Sequence, residues 1–299
     1  MPMEETKQPA ESPHAEFNGM PCGKLGEATV SRLVFDGNPL VGNVHSRDLK
    51  YVRRLAQTYL TPECLQETLR LAEANGVNTV LGWGEEYVRT YNASGGKMQF
   101  IARLSPKLAG DKLADAIKRN IDGGAIAQFT DPCETDELFR ASGIAPLAKV
   151  VEAAAKSDLP VGVGTWALPV VTACEKAGVP LDFYVKSFHS DGYPTSRPTP
   201  PEVRDEFIQE TPGYFDNIWC AHPDQVIEAF AAITKPWIAT MVLAAGAIDQ
   251  RGGLTFALET GGADFASVAM FDFLIADHAQ TVIRLIPRAD QKRTRRWCA

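Results

Sequence analysis

The sequence predicts an α/β fold: a (β/α)8 TIM barrel with an N-terminal hairpin plug and a long loop after its sixth strand. Three observations predict it. Four times a glycine closes a helical pattern and a short apolar strand opens the next, in EANGVNTVLGW, NIDGGAIAQFT, EKAGVPLDFYVKS and ETGGADFASVAMFD. Each reads as a helix C-terminus, a glycine free to take positive φ, a turn and a buried strand. Parallel strands need such helical crossovers, and the alternation continues along the chain until eight strands are counted. Finally, no GxGxxG follows the first strand, which weakens the open doubly wound sheet as a competitor. Gly162 in VGVGTW superficially suggests such a loop, but it lies within a strand, where close barrel packing explains it better.

The chain has 299 residues, 45% of them hydrophobic and 22% charged, which suits one barrel with extensions rather than two domains. The expected division is a disordered tail over 1–19, a barrel over 20–287 and a basic, solvated tail over 288–299. A net charge of −7 argues against a nucleic-acid partner. No run of 18 apolar residues exists, and the N-terminus has no apolar h-region, so neither a membrane partner nor a secretory signal is expected. The six cysteines are scattered without CxxC spacing, which reads as reduced thiols in a cytoplasmic protein.

LVFDGN (33–38) is apolar and then abruptly polar, as a first strand and its loop should be. A long polar connection follows. A helix then starts with Thr61 as N-cap, Pro62 at its first position, and Leu65, Leu69 and Ala72 at helical spacing. The next strands are read at 78–83, 98–105 and 125–130, with a helix at 109–121 before the last of these. One loop and one helix are expected from DPCETDELFRASGIAPLAKVVEAAAKS. A fifth strand at 160–166, a helix at 168–177 and a sixth strand at 181–187 follow. The segment 188–222 is rich in Pro, Gly and aromatics, and loops of that length in barrels serve as lids or binding loops. A helix near Pro223, strands at 237–244 and 265–272, a helix from LTFALETG and a last helix at 274–286 complete the barrel.

CGKLGEATVSRLVFDGNPLVG resembles the opening of the aldo/keto reductases, through Lys24, Leu25, Gly26, Val30, Ser31, Arg32 and Leu33. The resemblance implies a hairpin closing the barrel bottom and a first strand entered through Val-Ser-Arg-Leu. It continues weakly in GVNTVLGWGEEYV, where the family carries a catalytic Asp and then a Tyr. Gly82 or Trp83 stands in place of that Asp, and only Tyr87 could match the Tyr. Arg103 stands where a Lys is expected and Gln128 where a His is expected. The chain is similar to a divergent bacterial branch of such barrels that lacks most of the reductase tetrad. The resemblance therefore implies the fold without hydride transfer.

Polar side chains at the C-terminal ends of barrel strands build the site. Lys186 ends the apolar strand DFYVK; in a low-dielectric mouth its amine would be partly neutral, fit to act as a base or to form a Schiff base. His189 and His45 are candidate proton donors and Asp191 a candidate orienting group. Pairing of Lys186 with Asp36, Asp191 or Asp272 is the alternative. Substrate contacts are expected from Asp36, Asn38, Arg103, Gln128, Trp166, Tyr193 and Asp272, with Arg47 and Asp48 nearby. Aromatics beside polar residues, Trp83, Tyr214 and Trp219 among them, suit stacking on sugar rings.

These residues point to a lyase or isomerase acting on a sugar or polyhydroxy carbonyl compound, with no cofactor. A metal-dependent isomerase or hydrolase is the rival, with zinc or manganese on His45, His189 and His222, although no HxH or HExxH spacing exists. An NAD(P)H-dependent reductase with a rearranged tetrad and a non-catalytic binding barrel complete the alternatives. AAGAIDQRGG after the seventh strand could offer backbone amides to a phosphate. The lid could also bury against a second subunit of a homo-oligomer.

Overall fold

The computed structural model describes residues 14–46, 49–193 and 219–299. It opens with a small antiparallel sheet, β1 (Glu16–Phe17), β2 (Met20–Leu25) and β3 (Ala28–Ser31). Eight parallel strands then close into a barrel in chain order: β4 (Leu33–Asp36), β5 (Thr79–Gly82), β6 (Gln99–Leu104), β7 (Ala127–Thr130), β8 (Val161–Thr165), β9 (Phe183–Ser187), β10 (Trp237–Thr240) and β11 (Phe265–Val268), the last pairing with the first. The helical layer comprises α1 (Lys50–Tyr59), α2 (Pro62–Ala74), α3 (Glu85–Ala93), α4 (Gly110–Asp122), α5 (Pro132–Ser142), α6 (Ile144–Ala154), α7 (Leu168–Ala177), α8 (Pro223–Ala231), α9 (Gln250–Thr255) and α10 (Ile275–Lys292). This is the expected TIM-barrel architecture with its hairpin plug.

Local chemistry explains the boundaries. Thr61 caps α2 by accepting from the Cys64 N–H, and Asp131 and Asp249 cap α5 and α9 in the same way. The four turns marked by glycine all contain a left-handed residue: Gly76, Gly124, Gly178 and Gly262 have φ between 64° and 83°. Two expectations are corrected. The long polar connection after the first strand contains α1, and the segment read as one loop and one helix is two helices, α5 and α6, broken at Gly143.

Strand alternation divides the apolar residues into two cores. Val34, Leu81, Ile101, Phe129, Val185, Ile238 and Phe265 fill the barrel and meet Leu25 and Val30 of the plug. Their neighbours, such as Phe35, Ala102, Tyr184 and Ala266, join the core beneath the helices. On β8 the inward positions are glycines. A Cβ on Gly162 would stand 2.6 Å from the Phe183 ring, and one on Gly164 would stand 2.1 Å from the Thr130 carbonyl oxygen. The ring can yield; the backbone cannot. Gly164→Ala is expected to cost about 1–3 kcal/mol by overpacking, read from urea unfolding midpoints, and a cost under 0.5 kcal/mol, roughly the scale of a neutral surface change, would contradict this packing.

The barrel bottom holds a third correction. The segment after α10 is not a solvated end. Arg293 and Arg295 are buried, and Arg32 lies between them and the plug. Asp264, fully buried, accepts from Arg295 Nη1 at 2.7 Å, from the Cys298 N–H at 2.7 Å and from the Trp237 N–H at 2.9 Å. The Trp297 ring is sandwiched between the guanidinium groups of Arg32 at 4.0 Å and Arg293 at 3.3 Å. The N-terminal segment contributes too: His14 bonds Arg32 and Asp290, and Glu16–Phe17 is a strand within the stretch expected to be tail. Among the described residues no helix is long and apolar enough to cross a membrane.

Candidate functional site

Two cavities open at the C-terminal ends of the strands, and they share Asp36, Asn38, Asn43, His45 and Met241. The smaller, about 210 Å³, also has Gly82, Trp83, Arg103, Cys133, Trp166 and Thr240 in its wall. The larger, about 460 Å³, runs beneath α1 towards Ser267, Gln250 and His278. Both volumes are on the scale of small-molecule sites or somewhat below it.

Asp36 occupies the junction. It ends β4, shares the inward face with Val34, and is 8% exposed. Its carboxylate accepts from the Asn38 N–H at 2.9 Å. Burial raises its pKa, with the Asn38 bond and the charges of His45 and Arg103 acting the other way. Asn43 donates to the Asn38 side chain at 2.8 Å and holds the loop that carries His45.

Arg103 is inward on β6, two residues after Ile101. Its guanidinium stacks on the Trp83 ring at 3.9 Å and pairs with the Asp131 carboxylate. Burial pushes its pKa down to about 10, while Asp36 and Glu134 pull it back. Gly82 makes room for it, since a Cβ there would stand 3.3 Å from Arg103 Cδ. Where the reductase resemblance places an acid, this chain thus accommodates an arginine. His45 packs edge-on against Trp219 at 5.1 Å, and Trp219 against Trp166 at 4.8 Å, so the end of the long loop is tied to the mouth.

Several expected site residues stand elsewhere. Lys186 is 1% exposed, on the outward face of β9 with Tyr184, and lines neither cavity. Its ammonium donates to the Ser187 carbonyl at 2.8 Å and acts electrostatically on Asp136 and His189. Asp136 accepts from Thr165 Oγ1 and the Trp166 N–H, and burial pushes it up to about 6. Gln128 is likewise outward, bonded to Asn120 and Ser157 at the helical layer. Asp272 follows β11 and accepts from the Tyr59 hydroxyl of α1 at 2.8 and 2.9 Å. Tyr87 packs against the outer core from α3. Asp191 and Tyr193 line neither cavity. Arg47, Asp48 and Tyr214 lie outside the described residues.

His189 is fully buried and uses both ring nitrogens. Nδ1 donates to the Ser190 carbonyl at 2.7 Å, and Nε2 accepts from the Trp219 N–H at 2.9 Å. The ring clasps the two ends of the long loop rather than relaying protons into the mouth. Burial pushes its pKa down to about 4. The unfolded chain therefore protonates this histidine first as pH falls. The stability it contributes is complete above its unfolded pKa near 6.5 and drains away as pH falls towards 4. A loss of about 3 kcal/mol across that window is expected. His189→Asn should lack this acid-sensitive component; identical pH profiles of the melting temperature in both proteins would contradict it. Among the described residues no three His, Cys, Asp or Glu side chains converge to hold a metal, so His45, His189 and His222 do not form a ligand set there.

The sequence reading missed Asn43, Asp131, Ser267 and His278. Asp131 was visible as the acid opening the DP helix start. Ser267 and His278 carry no local signal.

No protein-family model and no curated protein matches the chain. Among solved structures it is similar to an aldo-keto reductase from Pseudomonas aeruginosa, with TM-score 0.57 and 13% identity over 89% of this chain and 95% of that one. Mandelate oxidase with (S)-2-phenylpropionate gives TM-score 0.47 and 14% identity over 94% and 80% of the two chains. The glycoside hydrolase domain of PelA from Pseudomonas aeruginosa gives 0.41 and 16% over 68% and 92%. The first likeness shows the shared eight-stranded barrel.

Proposed function

We propose that the chain is a lyase or isomerase acting on a polyhydroxy carbonyl compound, with the acid–base work done by Asp36 and His45. The observation that carries this reading is the position of Asp36: a buried carboxyl facing both cavities, under the charges of Arg103 and His45. A raised carboxyl pKa gives the carboxylate more proton affinity than an exposed acid has, as a general base needs. Arg103 keeps its positive charge throughout the neutral range and has five N–H donors, so pairing with Asp131 leaves others for a carbonyl oxygen.

The chemistry is as follows. Asp36 removes a proton from the carbon beside the substrate carbonyl. The electron pair moves onto the carbonyl oxygen, and Arg103 stabilises the enolate. Return of that proton from Asp36 to the former carbonyl carbon, while His45 moves the proton of the α-hydroxyl to the enolate oxygen, completes an isomerisation. Loss of a β-hydroxyl as water, protonated by His45, completes an elimination instead. Lys186, walled off from both cavities, has no part in this sequence.

The test is proton exchange. Purified protein is incubated in D2O with glyceraldehyde, dihydroxyacetone, four- to six-carbon keto sugars and aryl-substituted hydroxyketones, and the α-carbon signals are followed by NMR. Exchange or rearrangement in the wild type, lost in Asp36→Asn, supports the reading. No exchange with any compound sinks it. Loss on chelation transfers the reading to a metal-dependent isomerase or hydrolase, and NADPH binding with no exchange transfers it to a reductase.

A further inference from the structure

The larger cavity has a chemistry that a free sugar does not match. Apolar side chains dominate its wall, among them Leu49, Val52, Val242, Phe271 and Leu274, and its described residues include no Lys or Arg. In the turn after β10 the Ala244, Gly246, Ala247 and Ile248 N–H groups bond to carbonyls of the same turn, and the Asp249 carboxylate occupies the start of α9. Asp36 at the cavity entrance adds a further acid. Among the described residues of this wall a phosphate or carboxylate would meet no Lys or Arg side chain.

Two residues of this wall each hold a buried polar atom. Ser267 Oγ and His278 Nε2 are buried, at 1% and 2% residue exposure, and neither has a hydrogen-bond partner. Ser267 is inward on β11, and His278 enters from the first turn of α10. His278 Nδ1 donates to the Leu274 carbonyl at 2.7 Å, which places the ring proton there and makes Nε2 an acceptor. Ser267 supplies a hydroxyl donor. Buried polar atoms in native proteins are paired, so a ligand group that donates to Nε2 or accepts from Oγ complements these residues. A hydroxyl can serve either.

Resting on the reading that the chemistry occurs at Asp36, we infer that the substrate is an amphipathic carbonyl compound whose carbonyl head lies at Arg103 and whose uncharged apolar body fills the larger lobe and ends in a hydroxyl near Ser267 and His278. The larger lobe thus suits an aryl or alkyl body carried by the polyhydroxy carbonyl head, which a free monosaccharide lacks.

Calorimetric titration of the full chain with 4-hydroxyacetophenone and with acetophenone tests this. The hydroxylated probe is expected to bind about tenfold more tightly, the worth of one net hydrogen bond. His278→Phe and Ser267→Ala should each reduce that ratio towards one while acetophenone still binds. Ala269→Trp, at an exposed position of the lobe wall, should weaken both probes at least tenfold, a loss of about 1.4 kcal/mol. Equal affinities in the wild type, no heat from either probe at millimolar concentration, or indifference to Ala269→Trp would overturn the inference. Asp36→Asn separates the two readings: it should retain probe binding, so a failure of the acid–base assignment shows in turnover alone and a failure here shows in binding alone.

Discussion

Asp264→Ala is expected to remove about 3–5 kcal/mol of folding stability, the cost of stranding a buried charge. The carboxylate is wholly buried and meets Arg295 directly, with Arg293 at 4.0 Å. It also takes the Trp237 and Cys298 N–H groups, so one side chain joins β10 to the segment beyond α10. Removing it leaves two buried guanidinium groups without their counter-charge beside a third, Arg32. A surface pair makes the contrast. Lys118 and Asp122 lie 2.6 Å apart on α4, exposed, and such pairs contribute about 0.5 kcal/mol or less. Urea unfolding of Asp264→Ala beside Lys118→Ala measures both. Similar midpoints for the two variants would show that the network under the barrel carries no particular weight.

Asp36→Asn is expected to reduce turnover by about 10²–10⁴-fold, the usual worth of a positioned general base, with KM little changed. The amide keeps the size and the acceptor for the Asn38 N–H but cannot take a proton. The pH profile carries the sign. In the proposed chemistry the active form is the carboxylate, and burial raises its pKa, so kcat/KM should climb with pH through a midpoint above the ordinary aspartate value near 3.9. That limb should vanish in the residual activity of the variant. A wild-type limb at the ordinary value, or its persistence in the variant, would assign the proton transfer to another group.

The barrel was legible because each strand is a short apolar run and four of the preceding turns contain a glycine that the backbone uses at positive φ. α1 was not legible. KYVRRLAQTY has too few apolar residues for a buried stripe, and Tyr51, Leu55 and Tyr59 on one of its faces are exposed. Asp36, Asn38, His45, Arg103 and Trp166 were expected at the mouth because strand ends and their loops form it, and they line the two cavities there. Lys186 and Gln128 were misjudged for a single reason. Proximity to a strand end was read as access to the mouth, but side chains alternate, and a shift of one position faces the helices. Val185 and Phe129, their neighbours, are the inward ones. Ser267 and His278 were invisible because their importance lies in what surrounds them, and that belongs to the fold.

The clasp made by His189 separates the length of the loop from the integrity of the barrel. With the backbone of residues 189–190 bridged to residue 219 through one imidazole, the chain leaves the scaffold and rejoins it at nearly the same place. Doubling or halving the intervening stretch would then change closure entropy by only about 0.6 kcal/mol. A change in the number of residues between those two ends is therefore expected to leave the strands beneath in the same register.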